Sequence, residues 1–232
     1  MQIGGFVKQS LIDYPGKIAA IVFTQGCNFR CGYCHNEELI PVRKGTIDEK
    51  TIWTNLEKNR FLLDGVVVTG GEPTMQTDLF SFISKVKELG LLVKLDTNGG
   101  NPKVMESLLA EDLLDYVAMD IKSALTELNY SCVSGISVSP EMLKRIRQSI
   151  QLIIHSGVEH EFRTTVCREL VSLENVRAIV SELDGAQKYY LQQYHSNFHQ
   201  TNDNHVFSAY PDEEIRNQAE SLSKKIPVFI RK

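Results

Sequence analysis

The stretch Ala19-Ala20-Ile21-Val22-Phe23-Thr24-Gln25-Gly26-Cys27 decides how this chain folds. Its first six residues are small, β-branched or aromatic and suit a buried strand, whereas Gln25-Gly26-Cys27 is too polar and too pliant to prolong one. The same figure recurs down the chain. Apolar runs at Val66 to Thr69, Leu92 to Asp96, Tyr116 to Ile121, Glu161 to Val166 and Tyr189 to Gln193 predict five more strands, with Val228 to Ile230 a late addition. Amphipathic patterns between them predict helices at Asp48 to Lys58, Asp78 to Leu89, Pro102 to Ala110, Pro140 to His155, Leu173 to Leu183 and Asp212 to Lys224. Thr46 and Asp48, Thr77 and Asp78, and Ser139 with Pro140 are start signals for three of them. Strand and helix in alternation mean an α/β fold with a mostly parallel sheet, either open or closed into a complete or partial barrel.

In both arrangements functional groups gather at the carboxyl ends of the strands. Polar residues that a buried strand would not keep stand where that rule puts them: Gln25-Gly26-Cys27, Gly70-Gly71-Glu72, Asp96-Thr97-Asn98, Asp120 with Lys122, and His195.

The 232 residues suit one well-filled domain spanning 1–232, with an N-terminal extension over 1–17. A net charge of -4 does not suggest nucleic acid as a partner. The longest apolar run, Leu62-Leu63 into Val66 to Val68, is broken by Asp64 and too short for a membrane. Met1 to Gln9 lacks the pattern of a signal peptide, so a cytoplasmic location is the expectation. The polar stretch Ser196 to His205 reads as a mobile loop.

Three of the five cysteines, Cys27, Cys31 and Cys34, lie within eight residues. An odd count packed this way argues against a disulfide framework and for a metal site. Three thiolates on the loop Cys27-Asn28-Phe29-Arg30-Cys31-Gly32-Tyr33-Cys34-His35 suit a cubane iron–sulfur cluster with one iron left open. A zinc site is the alternative, but it would want a fourth ligand, and His35 beside Cys34 is awkwardly placed to supply it. Inert core cysteines sit badly with Arg30 and Gly32 between them. Cys132 and Cys167 form no second motif and read as packing residues; Trp53 and Tyr189-Tyr190 read as core or rim.

The cysteine spacing, with the strand ends that follow it, resembles the radical S-adenosylmethionine (SAM) superfamily. That resemblance implies a partial TIM-type (β/α)6 barrel, with Cys27, Cys31 and Cys34 holding a [4Fe–4S] cluster whose open iron chelates SAM. Tyr33 matches the aromatic position whose backbone meets the adenine, and Gly70-Gly71-Glu72 looks like the motif that binds the SAM amino group. Asp96 and Thr97 are similar to residues near the SAM carboxylate and a monovalent cation in activating enzymes of glycyl-radical proteins. Asp120 and Lys122 match the D-x-K element of those enzymes, and Arg163 and His195 their later arginine and histidine.

The opening, Gly4-Gly5-Phe6-Val7 through Ser10-Leu11-Ile12-Asp13-Tyr14-Pro15-Gly16, then Phe23-Thr24-Gln25-Gly26-Cys27-Asn28-Phe29-Arg30-Cys31, looks like that of the activating proteins for anaerobic ribonucleoside-triphosphate reductase. The resemblance implies reductive cleavage of SAM to a 5′-deoxyadenosyl radical, which takes a hydrogen atom from a glycine of the partner enzyme. It also implies a flavodoxin- or ferredoxin-type electron donor. A pyruvate formate-lyase type partner, or a small molecule or peptide, would leave the cofactor residues unchanged. No side chain presents itself as a general base, and none is called for.

Overall fold

The computed structural model describes residues 1–195 and 207–232, so the loop expected over 196–205 lies outside the described residues. Eight strands form one sheet in chain order: β1 Ile3–Ser10, β2 Ala19–Thr24, β3 Gly65–Gly70, β4 Leu92–Thr97, β5 Tyr116–Asp120, β6 Glu159–Val166, β7 Tyr189–Gln193 and β8 Val228–Arg231. From β2 onward every neighbour pair is parallel, and only β1 runs antiparallel, against β2. Among the described residues β1 and β8 are the two ends of the sheet and do not pair, which leaves the barrel open between them.

Among the described residues seven α-helices fill the connections: α1 Glu49–Asn59, α2 Leu79–Glu88, α3 Pro102–Ala110, α4 Glu127–Ser134, α5 Pro140–His155, α6 Leu173–Ser181 and α7 Asp212–Leu222. Six of them match the expected spans. Asp48 caps α1 by accepting from the Lys50 amide, and Ser139 caps α5 by accepting from Met142. Asp78 precedes α2 without capping it, because its carboxylate is turned to the amino group of Met1.

Two elements depart from expectation. The segment taken as an extension contains β1, whose glycines and polar Lys8-Gln9-Ser10 carry little strand signal; pairing to β2 forms it, with two register shifts. α4 has only weak amphipathicity, but it braces the site. Thr126 caps it through the Asn129 amide, and Gly135 ends it in the left-handed region at φ 67°. There the Arg30 amide donates to the Ser134 carbonyl at 2.7 Å, and a Cβ on Gly135 would lie 2.1 Å from the Arg30 carbonyl oxygen.

Period-two alternation sorts the strand residues between two environments. Ala20, Val22, Val66, Val68, Val93, Leu95, Val117, Met119 and Phe162 belong to the main core that includes the helices. Ala19, Ile21, Val67 and Ala118 belong instead to a small second cluster with Tyr14 and Tyr116. Tyr14 comes from the turn between β1 and β2, is 4% exposed, and meets the Tyr116 ring at 5.8 Å. Its aromatic ring plugs the interior away from the polar end of the strands. Tyr14→Ala should therefore cost roughly 3 kcal/mol, the usual scale for emptying a buried aromatic site; a urea unfolding midpoint equal to that of the parent would contradict the plug.

Candidate active site

At the carboxyl ends of the parallel strands lies a cavity of about 440 Å³. Every residue singled out above for cluster or cofactor lines it: Cys27, Cys31, Tyr33 and Cys34 from the loop after β2, Gly70, Gly71 and Glu72 after β3, Asp96 and Thr97 on β4, Asp120 and Lys122 at β5, Arg163 on β6 and His195 after β7.

The cysteine loop is fastened at both ends. The Gly26 and Cys27 amides donate to the Leu39 and Ile40 carbonyls at 2.8 and 3.0 Å, closing the loop onto the segment that follows it. Arg30 Nη1 donates back to the Cys27 and Phe29 carbonyls at 2.6 and 2.7 Å. At the far end the His35 ring stacks on Tyr194 at 6.4 Å. The three thiols are unpaired. Burial pushes the Cys27 thiol up to about 11 and raises Cys31 and Cys34 as well, while the Lys122 ammonium nearby pulls all three down. Iron binding would have to displace their protons, and Lys122 stabilises the thiolates that result. A backbone amide, that of Phe29, already points at Cys27 Sγ from 3.4 Å.

Among the described residues no three His, Cys, Asp or Glu side chains are arranged to hold one metal ion. Three thiols on one loop, Cys27, Cys31 and Cys34, are the donor set that a cluster takes, one thiolate to each of three irons.

At Gly70 and Gly71 the chain's own backbone leaves no room for a side chain. Gly70 has φ +112°, and a Cβ there would come within 2.4 Å of the Thr24 amide nitrogen. At Gly71 a Cβ would lie 2.1 Å from the Gly26 carbonyl oxygen, which accepts from the Glu72 amide at 2.8 Å. What approaches so closely is the chain's own backbone, and the contact locks the end of β3 to the start of the cysteine loop.

Glu72 is 1% exposed. Its Oε1 accepts from the Thr74 amide, the Thr74 hydroxyl and the Thr97 hydroxyl at 3.1, 2.6 and 2.7 Å, and Oε2 from the Asn98 amide at 2.7 Å. Burial raises its pKa while these donors oppose the rise. Acceptor capacity remains on Oε2. Asn98 in turn donates from Nδ2 to Asn28 Oδ1 at 2.7 Å, so one chain of bonds joins the ends of β3 and β4 to the cysteine loop.

The charges on β4, β5 and β6 form a single network. Arg163 Nε donates to Asp120 at 2.7 Å and its Nη1 to Asp96 at 3.3 Å; Lys122 Nζ reaches Asp120 at 3.1 Å, and Lys94 pairs with Asp96. Burial alone would raise both aspartates, but Arg163 with Lys94 holds Asp96 below the ordinary range, and Arg163 with Lys122 does so more strongly for Asp120. Lys122 is held well above its ordinary value by Asp120 in spite of burial. Asp96, Asp120, Lys122 and Arg163 are thus charged at neutral pH.

Lys94, Glu161 and Arg231 belong to this interior and escaped the sequence reading. Lys94 lies two residues before Asp96 and so shares its face, which was the available signal. Of the remaining cysteines, Cys167 is buried as expected, but Cys132 is exposed on α4 and is not a packing residue. Trp53 is half-buried against Phe82, with centroids 4.8 Å apart.

An open, mostly parallel barrel with a thiol loop at its strand ends defines a class of fold and site, and comparison with known proteins identifies it. Residues 21–150 match the model of the radical SAM superfamily, and the chain belongs to that superfamily. Membership implies a [4Fe–4S] cluster and SAM as cofactors and makes the protein an enzyme of this type. It is 34% identical over 194 residues to a Methanocaldococcus jannaschii protein named as a glycyl-radical enzyme activating enzyme, covering 83% of this chain and 79% of that one. A pyruvate formate-lyase-activating enzyme of Clostridium pasteurianum is 28% identical over 205 residues, covering 84% and 82%. Streptococcus suis SuiB superposes with a TM-score of 0.69 at 16% identity, over 91% of this chain; the chain spans about half the length of SuiB, 48%. No helix among the described residues is long and apolar enough to cross a membrane.

Two outcomes follow from the geometry. Gly71→Ala should push the cysteine loop off the end of β3, lowering iron and sulfide bound per chain after anaerobic reconstitution; a full complement would refute the backbone lock. Because Asp96 and Asp120 are depressed when folded, the stability they contribute is complete above the ordinary aspartate pKa of about 3.9 and is lost as pH falls towards the folded values. Denaturant midpoints should fall on acidification below about pH 4 in the parent. In Arg163→Gln, which removes the shared cation, that dependence should flatten.

Proposed function

We propose that this chain activates a glycyl-radical enzyme, and that the partner is anaerobic ribonucleoside-triphosphate reductase. The observation that carries the proposal is the convergence of all thirteen expected residues on one cavity in a member of the radical SAM superfamily. The partner class is supported by the relative from M. jannaschii, and the match to the C. pasteurianum enzyme keeps pyruvate formate-lyase as the second reading. The reductase itself rests on the opening residues Gly4 through Gly16 and on the loop from Phe23 to Cys31.

In this proposal Cys27, Cys31 and Cys34 ligate the cluster, and Tyr33 borders the adenine through its backbone. Bound there, cluster and SAM supply a 5′-deoxyadenosyl radical made by reductive cleavage, able to take a hydrogen atom from the partner's glycine. The residues of the chain bind and orient. Glu72 offers the free capacity of Oε2 to the SAM amino group, at the close turn made by Gly70 and Gly71. Lys122 and Arg163 meet the SAM carboxylate as cations already fixed by Asp120 and Asp96, so little reorganisation is left to be done on binding. Thr97 steadies Glu72, and His195 borders the ribose. Lys94 and Arg163 balance Asp96 in the place that the resemblance gives to a monovalent cation. The Tyr14–Tyr116 plug keeps water from the apolar end of the interior. A flavodoxin- or ferredoxin-type protein serves as the electron donor.

The test is anaerobic. The chain is reconstituted with iron and sulfide, reduced, and given SAM with the reductase or with pyruvate formate-lyase, while 5′-deoxyadenosine and the glycyl radical signal are quantified. Deoxyadenosine with a radical on the reductase is expected, and Cys31→Ala should abolish both. A radical on pyruvate formate-lyase alone would reassign the partner. Deoxyadenosine with no radical on either protein would overturn the activating role.

A further inference from the structure

Arg231, on the edge strand β8, is held in a way that the proposed cofactor site does not require. Glu161, 1% exposed on β6, accepts from its Nη1 and Nη2 at 2.9 and 3.1 Å, and the Tyr116 hydroxyl donates to the same carboxylate at 2.9 Å. The guanidinium carbon stacks over the Tyr190 ring at 4.0 Å, and Tyr190 stacks on Phe229 at 5.3 Å. So fixed, Arg231 keeps 36% of its side chain exposed and lines the same cavity as the cysteines.

Fastening β8 does not by itself call for this arrangement. Burying a carboxylate is costly, and apolar residues of similar volume secure a strand as well or better. A guanidinium has five N–H donors and no acceptor. Glu161 takes one from each terminal nitrogen, and among the described residues the others have no acceptor. The result is a rigid, donor-only fork on the cavity wall, at one of the two unpaired edges of the sheet. It is tied to the cofactor-facing network through Glu161, whose Oε1 also lies 3.9 Å from Arg163 Nη1.

We propose that Arg231 is a substrate-binding residue, whose fork donates to main-chain carbonyl oxygens of the partner segment that brings the glycine into the cavity. This rests on the activating role proposed above. A glycine has no side chain of its own to be gripped, so the carbonyls on either side of it are the natural handles for a donor-only group. Gln192, which lines the same cavity, adds a donor there.

The experiment compares reconstituted parent, Arg231→Gln and Arg231→Lys with the reductase as substrate. Losing a charged hydrogen-bond donor should raise KM for the reductase about tenfold in Arg231→Gln, with a smaller change in kcat and more deoxyadenosine produced per glycyl radical. Arg231→Lys, which keeps the charge but not the fork, should fall between. If Arg231→Gln melts early or loses iron, Arg231→Lys carries the comparison alone. Parent values for KM and for the deoxyadenosine-to-radical ratio, with full cluster content, would overturn the inference and leave the activating role standing. Deoxyadenosine formation by the parent that is driven by N-acetylglycine without the reductase, and lost in Arg231→Gln, would give the fork to a small acid and overturn it too. A parent that makes no glycyl radical on the reductase or on pyruvate formate-lyase would bring down both.

Discussion

The interior of this barrel depends on one guanidinium shared by two carboxylates. Arg163 stands on β6 and binds Asp120 on β5 and Asp96 on β4, so a single side chain spans three parallel strands at the level where the cavity begins. Without it, two buried carboxylates would face each other with only a lysine apiece, and each would favour its neutral form. With it, both stay ionised, Lys94 and Lys122 stay paired, and the polar half of the barrel is fixed before a ligand arrives. Buried ion pairs are poor sources of stability. What the network does provide is preorganised charge of both signs, four strand residues and Lys122 fixed by one another at the edge of the cavity.

The cysteine loop is held by a different kind of contact, between backbones. Gly70 and Gly71 pack against Thr24 and Gly26 at distances that no side chain would permit, and Glu72 then ties the turn to Thr97 and Asn98. The ends of β2, β3 and β4 are therefore tied to one another, with the thiols at their margin. From below, α4 adds the bond from the Arg30 amide to the Ser134 carbonyl, and Tyr130 packs edge-on against Phe29 at 6.2 Å. A loop that must present three thiolates in fixed relation gains from such bracing, since loose ligands would cost binding free energy to order.

Much of this was legible in the sequence, for identifiable reasons. Parallel strands buried on both faces show as continuous runs such as Val66-Val67-Val68, and charges that end such runs mark the functional end of the sheet. That is why Asp96, Asp120 and Lys122 could be found and then met on one wall. β1 could not be read in this way, because Gly4-Gly5 and Lys8-Gln9-Ser10 have no strand character apart from the partner that β2 provides. Nor could α4, whose sequence Glu127-Leu128-Asn129-Tyr130-Ser131-Cys132 buries Tyr130 but leaves Leu128 and Cys132 exposed. The glycine motif was found, but the backbone contact it makes was not, since close approach between two segments of one chain is invisible until the register of the strands is known.

Lys94, Glu161 and Arg231 show where reading from strand ends runs out. Each lies within a strand rather than after one, where a charge would normally mark a solvated face. In a small parallel barrel the inner face is neither solvated nor wholly apolar. The register sets Lys94 beside Tyr116 and Glu161 beside Ala118, so the inward charges border the small apolar cluster directly. Apolar residues close the interior at one end and paired charges line it towards the other, so a ligand entering from the strand ends meets fixed charges, with Arg231 alongside them at the edge that the sheet leaves open.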